Sequence, residues 1–313
     1  MAMVTPGVVP ASELLATPPS PWLEEWAGFA AKARYADLPA DVAARTRLAL
    51  LDCIGAIAAG AQEAEVGTLA TRMIAREGAG DSPVIGLAAS ARPGTAAFIN
   101  GTAGTTLELD EGNQYARGHP AIHVVPALLA APRGDGAALL VALALGYELG
   151  SRVGIASKLN VATHPHGTWG TLGAAMGVAK THGAGADEMR AVINIASTLG
   201  LATSRRTMLE GGTVRNTYCG VSNMLGLTAW DLVRAGFEGE RDGVATIFGH
   251  VAGSDFKPEE MTRDLGTRWE IARNYFKRHA ACRYTHGALD ALNIVLAKTG
   301  PLQPDQVRAI EVE

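Results

Sequence analysis

The sequence predicts a mainly all-α protein, and three observations carry that expectation. Apolar positions recur three or four residues apart along most of the chain, the spacing of one helix face. Strand-like alternation is confined to two short segments. Alanine and 37 glycines abound while aromatic residues make up 5 %, so helices can approach closely through small side chains.

Taken in order, residues 1–20 are rich in Pro, Ala and Ser and read as a loose N-terminal arm. From Trp22 onward the pattern is helical. Asp41 can cap a helix whose apolar positions Val42, Leu48, Leu51, Ile54 and Ile57 run to Gly60. Similar helical stretches cover 64–76, 93–106, 120–131, 135–156, 168–182, 186–200, 217–235 and 286–298. Ser82-Pro-Val-Ile-Gly86 is the one short strand candidate before Val307–Glu313, where apolar and polar residues alternate. A helical domain over 21–303 is therefore expected, with 304–313 opening the first strand of a further unit. At 313 residues the chain exceeds the usual size of one core, which suits one large domain or one domain plus a second.

The formal net charge is −4, and the 27 Lys and Arg residues are scattered, which argues against nucleic acid or an anionic membrane as partner. A small-molecule substrate is the expected partner. The N-terminus lacks a basic start followed by an apolar stretch, and no run of about 18 apolar residues is evident, so no membrane span is expected. Cys53, Cys219 and Cys282 are odd in number and lack the short paired spacings of a zinc or disulfide framework. A cytoplasmic location with reduced thiols is the expectation. The run Gly167-Thr-Trp-Gly-Thr-Leu-Gly173 lacks the preceding strand and the spacing of a dinucleotide loop, so no nucleotide cofactor is expected.

Three patches place imidazole beside acid or base. In the first, Glu108-Leu-Asp-Glu111 leads through a polar loop to His119-Pro-Ala-Ile-His123. Proline suits a first helical turn, which would put His119 at a helix N-terminus, where free N–H groups and the dipole favour a bound carboxylate. The second, His164-Pro-His166, repeats the His-Pro step before a small-residue helix expected to begin near Thr168; His166 by itself reads as structural. The third runs from Lys277 through Arg283 to His286 at the start of an amphipathic helix, a cationic segment suited to an anion. A metal site is not expected: His119 and His123 are four apart, but Pro120 puts His119 at the helix end and no second pair completes a ligand set.

Taken together and in order, these residues resemble the MmgE/PrpD family, which includes 2-methylcitrate dehydratase, cis-aconitate decarboxylase and iminodisuccinate epimerase. The marks are Leu50-Leu-Asp-Cys-Ile-Gly55, Ala97-Phe-Ile-Asn-Gly-Thr-Ala103, His119-Pro120 with Val125-Pro-Ala-Leu-Leu129, Gly146-Tyr-Glu148, His164-Pro165 with Gly170-Thr-Leu-Gly-Ala-Ala175, Ala235-Gly-Phe-Glu-Gly239, and Cys282 with His286 and Asp290. The resemblance implies a large all-helical domain, a smaller α+β lid domain of which only the start would be present, a homodimer, and cofactor-free chemistry on small di- or tricarboxylates.

Residue by residue, the resemblance places the family's histidines on His119, His164 and His286, and its leading acids on Glu108 and Asp110. A family lysine falls on Arg215, a following histidine on Tyr218, and a position often occupied by Thr on Gly112. Arginine binds carboxylate in a fork but exchanges no proton near neutrality. The expected chemistry is proton abstraction next to a carboxylate, leading to loss of water or CO2, or to reprotonation as in an epimerase. His164 is the expected base and His119 the acid, with the reverse open. Arg215, Lys277, Arg283 and His286 are expected to hold substrate carboxylates, and Glu108 and Asp110 to orient an imidazole or bind a hydroxyl. A non-catalytic carboxylate-binding or dimerisation module is the expectation from another class.

Overall fold

The computed structural model describes residues 20–312, so nearly all of the expected N-terminal arm lies outside the described residues. Among the described residues there are thirteen α-helices and two small two-stranded sheets, a mainly α architecture as the sequence predicts.

The chain opens with α1 (Pro21–Lys32), whose stripe of Trp22, Leu23, Trp26, Ala27 and Ala30 is buried. Both tryptophans also satisfy their indole N–H, Trp22 on an Asp242 carboxylate oxygen at 3.0 Å and Trp26 on the Met261 carbonyl at 2.6 Å. The helix α2 (Ala40–Gly60) begins one residue before Asp41, which sits in its first turn rather than capping it. After α3 (Ala64–Glu77), strands β1 (Ser82–Val84) and β2 (Ala89–Ala91) form an antiparallel hairpin. The buried Asn100 of α4 (Pro93–Thr106) clamps it, accepting the Ile85 N–H and donating to the Pro83 carbonyl, both at 2.9 Å.

The centre of the molecule is built by α4, α6 (Gly136–Ala156), α7 (Gly170–Thr181) and α10 (Thr217–Arg234). Their approach depends on glycine at two crossings. A Cβ on Gly220 of α10 would lie 2.3 Å from the Phe98 carbonyl oxygen of α4, and one on Gly146 of α6 would lie 2.5 Å from the Gly173 carbonyl of α7. Bare backbone there lets the helices close to a distance that any side chain would forbid.

Glu148 and Arg152 interrupt the apolar sequence of α6, so no unbroken run of about 18 apolar residues is present there. This helix is long and apolar enough to match a membrane crossing, with a mean hydropathy of 1.4, but 78 % of that window is buried inside the protein. It also carries a buried ion pair, Arg152 Nε to Glu148 Oε1 at 2.7 Å. Arg152 then donates to the carbonyls of Glu260, Met261, Arg263 and Arg268, while Glu148 accepts the Glu270 N–H at 2.6 Å. A single helix turn thus anchors the segment from α12 (Pro258–Thr262) to Glu270, which leads on to Tyr275 and Lys277.

The remaining elements are α5 (Val125–Ala130), β3 (Ser157–Leu159) paired antiparallel with β4 (Gly253–Phe256), α8 (Ala186–Ser197), the short α9 (Arg205–Leu209) and α11 (Gly243–Thr246), and α13 (His286–Thr299). The last is a surface helix with Leu292, Ile294 and Val295 exposed. Residues 307–312 form no strand and pair with none among the described residues, so the alternation there is not realised as a ladder.

Candidate active site

A cavity of about 720 Å3 collects residues from all three patches, including Glu108, His119, His164, His166, Arg215 and Arg283. Gln114, Tyr115, Arg117, Arg205 and Tyr275 complete much of its wall.

The first patch enters by a sharp turn. Just after α4, Glu108 adopts a left-handed backbone with φ 52°, uncommon for a residue with a side chain and a form of local strain found at functional sites. Beyond it the chain folds into a closed loop. Gly112 and Tyr275 exchange backbone hydrogen bonds at 3.0 and 2.8 Å, and Asn113 pairs with Gly118. A Cβ on Gly112 would lie 2.3 Å from the Tyr275 hydroxyl oxygen, so the tyrosine occupies the space a threonine would fill. The loop delivers His119 to the cavity, but Pro120 opens only a short 3-10 turn over Ala121–His123 ahead of α5. The expected helix N-terminus at His119 is therefore not formed.

His119 Nδ1 lies 2.7 Å from Asp110 Oδ2, and Asp110 is fully buried. Burial pushes the Asp110 carboxyl up, yet the His119 ring and its hydrogen bond, with Lys277 and Arg215, outweigh burial and hold it below the usual range. Glu108 behaves alike: burial opposes ionisation, but Arg215, His119 and Lys277 keep its carboxyl low. Glu108 pairs with the guanidinium of Arg215 and accepts from Lys277 Nζ at 3.1 Å. Lys277 also donates to the Glu108 carbonyl at 2.7 Å and lies 3.9 Å from Asp110. Its ammonium is thus committed to these acids beneath the cavity, and the expected direct hold on a substrate carboxylate finds no support.

The adjacent acid Glu111 serves a different end. Its Oε1 accepts the Ala121 N–H at 2.9 Å, and its Oε2 accepts from Tyr147 at 2.9 Å and Asn274 at 3.2 Å. Burial drives its carboxyl up to about 8 despite those donors. From below, Asp52 of α2 accepts the Glu111 N–H at 2.8 Å.

In the second patch the His-Pro step lies ahead of α7, which starts at Gly170 rather than near Thr168, so His164 also misses a helix N-terminus. A turn through Gly167, φ 83°, points the chain back. His164 Nδ1 accepts the backbone N–H of His166 at 3.1 Å. Burial, with help from Arg215 and Arg205, pushes His164 down to about 4, so it is neutral near pH 7. Tyr218, where the resemblance expects a histidine, packs its ring against His164 at 6.0 Å between centroids. The His166 ring sits edge-on to both reacting candidates, 4.6 Å from His119 and 4.8 Å from His164.

From the third patch, Arg283 reaches the cavity, donating to Gln114 Oε1 at 2.9 Å beside the Tyr275 ring. His286 does not line the cavity; its Nε2 faces the Ala281 carbonyl at 3.2 Å and its ring packs on His279. Sequence reasoning missed Arg205 and Arg117, both isolated basic residues with no flanking motif, and Glu111, whose only signal was its place beside Asp110. It also missed that His123 turns away from His119 to meet Cys219 at 3.3 Å.

The MmgE/PrpD N-terminal domain model matches residues 24–257. The chain is 29 % identical to a cis-aconitate decarboxylase-like protein of Aspergillus oryzae over 299 residues, covering 88 % of this chain and 62 % of that relative. It is 28 % identical to cis-aconitate decarboxylase of Aspergillus terreus over 277 residues, covering 82 % of this chain and 56 % of the relative. The chain therefore spans less than two thirds of the length of either relative. With the family match running through the segments that carry His119, His164 and Arg215, the chain belongs to the MmgE/PrpD family.

Proposed function

We propose that this chain is the helical part of a lyase that removes a proton next to a carboxylate of a small di- or tricarboxylate and then loses water or CO2. The observation that carries the reading is the opposed anchoring of two histidines on one arginine-rimmed cavity. Asp110 holds Nδ1–H of His119, which leaves Nε2 with a free lone pair facing outward, the arrangement of a general base. The His166 N–H occupies Nδ1 of His164, so the neutral His164 ring carries its proton on Nε2 and is a donor. This supports the reverse of the sequence expectation: His119 as base and His164 as the electrophilic partner.

On this reading the C–H electron pair moves into the carboxylate as the proton passes to His119 Nε2. His164 Nε2–H donates to the developing enediolate oxygen, a charge that a pre-aimed donor in a dry site stabilises well. The enediolate then expels a β-hydroxyl, which departs as water with the proton from His119. Arg205 and Arg283, neither of them paired with an acid among the described residues, supply guanidinium groups for the remaining carboxylates, while Arg215 is shared with Glu108. A homodimer and a cytoplasmic setting are part of the proposal.

The test follows proton NMR in D2O with hydroxylated, unsaturated and amino-substituted tri- and dicarboxylates. Solvent deuterium entering next to the carboxylate together with a new alkene or released CO2 is the expected result. Exchange alone would mean an epimerase, and no exchange with any acid would overturn the catalytic reading in favour of a binding module.

A further inference from the structure

At the cavity wall and directly behind it, three side chains from three separate elements meet: His166, which lines the cavity, from the loop before α7, His123 from the short turn before α5, and Cys219 from α10. All three are buried, at 0, 2 and 1 % exposure. Cys219 Sγ lies 3.3 Å from His123 Nε2 and 3.8 Å from His166 Nδ1, and the donor atoms all fall within 4.8 Å of one another. Around a tetrahedral zinc-like ion, bond lengths of about 2.3 Å to sulfur and about 2.0 Å to nitrogen set donor separations of roughly 3.3–3.6 Å. The trio is thus close to the size of a coordination sphere.

The donor set and its weak internal hydrogen bonding point to a ligand rather than to simple packing. His123 presents Nε2 to Cys219, and its other nitrogen, Nδ1, is fully buried with no hydrogen-bond partner among the described residues. The contacts inside the trio run through sulfur, a weak donor, and its single proton can serve only one of the two imidazole nitrogens that face it. The room for the His123 ring is also made deliberately, since a Cβ on Gly170 would stand 2.1 Å from that same Nδ1.

We propose that His123, His166 and Cys219 form a binding site for one divalent, borderline-soft cation of the zinc class. Two imidazoles and one thiolate are the donor set such an ion favours, and three protein ligands leave its fourth position open. Burial keeps both imidazoles neutral, pushing His123 down to about 3 and His166 well below its ordinary value, so their lone pairs are available. Burial raises the Cys219 thiol, so the thiol proton leaves when the metal–sulfur bond forms and about one proton is released per cation. The ion would fix His166, the ring against which both His119 and His164 pack, and would order the floor of the cavity without entering the proton transfer. The site goes beyond the lyase reading and stands or falls apart from it.

The probe is Co2+, added to the metal-stripped full chain carrying Cys282→Ser, which removes the one exposed thiol at the cavity. The expected result is one Co2+ per chain, a near-ultraviolet thiolate-to-cobalt band, intense visible bands of a tetrahedral ion, and displacement of both by Zn2+. Cys219→Ser should abolish the charge-transfer band, and His123→Asn should lower affinity by tenfold or more, with circular dichroism reporting that each variant is folded. Should Cys219→Ser fail to fold, the His123→Asn titration decides by itself. Absence of the band in the parent, or its survival in Cys219→Ser, would overturn the site. Neither outcome bears on deuterium exchange into a carboxylate substrate, so failure here is distinguishable from failure of the lyase reading.

Discussion

Asp110 Oδ2 and His119 Nδ1 are 2.7 Å apart, with the aspartate wholly buried and its carboxyl held ionised by the cations around it. A buried carboxylate on the inner nitrogen of an imidazole fixes both the tautomer and the direction of the outer lone pair. Asp110→Asn keeps the shape but can hold the ring in the wrong tautomer. Turnover of the carboxylate substrate should fall about 10^2–10^4-fold, with KM changed far less. Steady-state kinetics check this, and a variant within twofold of the parent would remove Asp110 from the machinery.

The opposed anchoring of the two histidines makes their substitutions unequal. His119→Gln leaves no base and should reduce deuterium exchange by about 10^3-fold or more. Glutamine at 164 still offers an N–H, so His164→Gln should retain more exchange than His164→Ala, by about tenfold. Exchange rates for the three variants decide it: if His164→Gln is as inactive as His119→Gln, the base is His164.

Glu111 should leave a signature in stability against pH. Its folded carboxyl titrates near 8 against an ordinary 4.5, so between those values the folded state holds a proton that the unfolded chain has released. Stability from this group is complete below about pH 4.5 and is lost as pH rises toward 8, by up to about 1.4 kcal/mol per pH unit. Glu111→Gln mimics the neutral acid and removes this decline. Chemical unfolding of both proteins at pH 5 and pH 8 is the check, and a stability difference that does not change with pH would contradict the buried neutral acid.

Arg152 is fully buried, with its charge met by Glu148 and its N–H groups by four carbonyls of the segment before Tyr275. Removing it strands Glu148 and those carbonyls in the interior. Arg152→Met should cost about 3–5 kcal/mol in urea unfolding. A loss under 1 kcal/mol would mean that the segment is held elsewhere.

The helices were legible because burial imprints a period on the sequence. The stripe Trp22, Trp26, Ala30 faces the interior and is helical; the run from Val42 to Ile57 is helical too, but of its predicted apolar positions only Val42 and Ile57 are buried, while Leu48 and Leu51 are exposed and Ala49, Cys53 and Ala56 supply the buried face. Their ends were less legible, since Asp41 and Thr168 carry the right chemistry for a helix start but neighbouring packing moved the boundary by one or two residues. The weak pairing of β3 with β4 left no trace, because each strand is three or four residues long and half exposed.

By itself, then, the sequence determined a helical protein and the residue types of its chemistry, because periodicity and His-Pro steps are local. Only the tertiary structure decided which of those residues meet. Glu108 and Lys277 are 169 positions apart, and His123 and Cys219 96 apart, yet each pair is in contact. Lys277 turned toward the acids and His286 away from the cavity, because a buried ammonium requires anions within reach whereas an imidazole on a surface helix does not. The role of each histidine was decided last, by which polar group reached its inner nitrogen. That contact depends on the path of a backbone folded back from another part of the chain, and no local pattern encodes it.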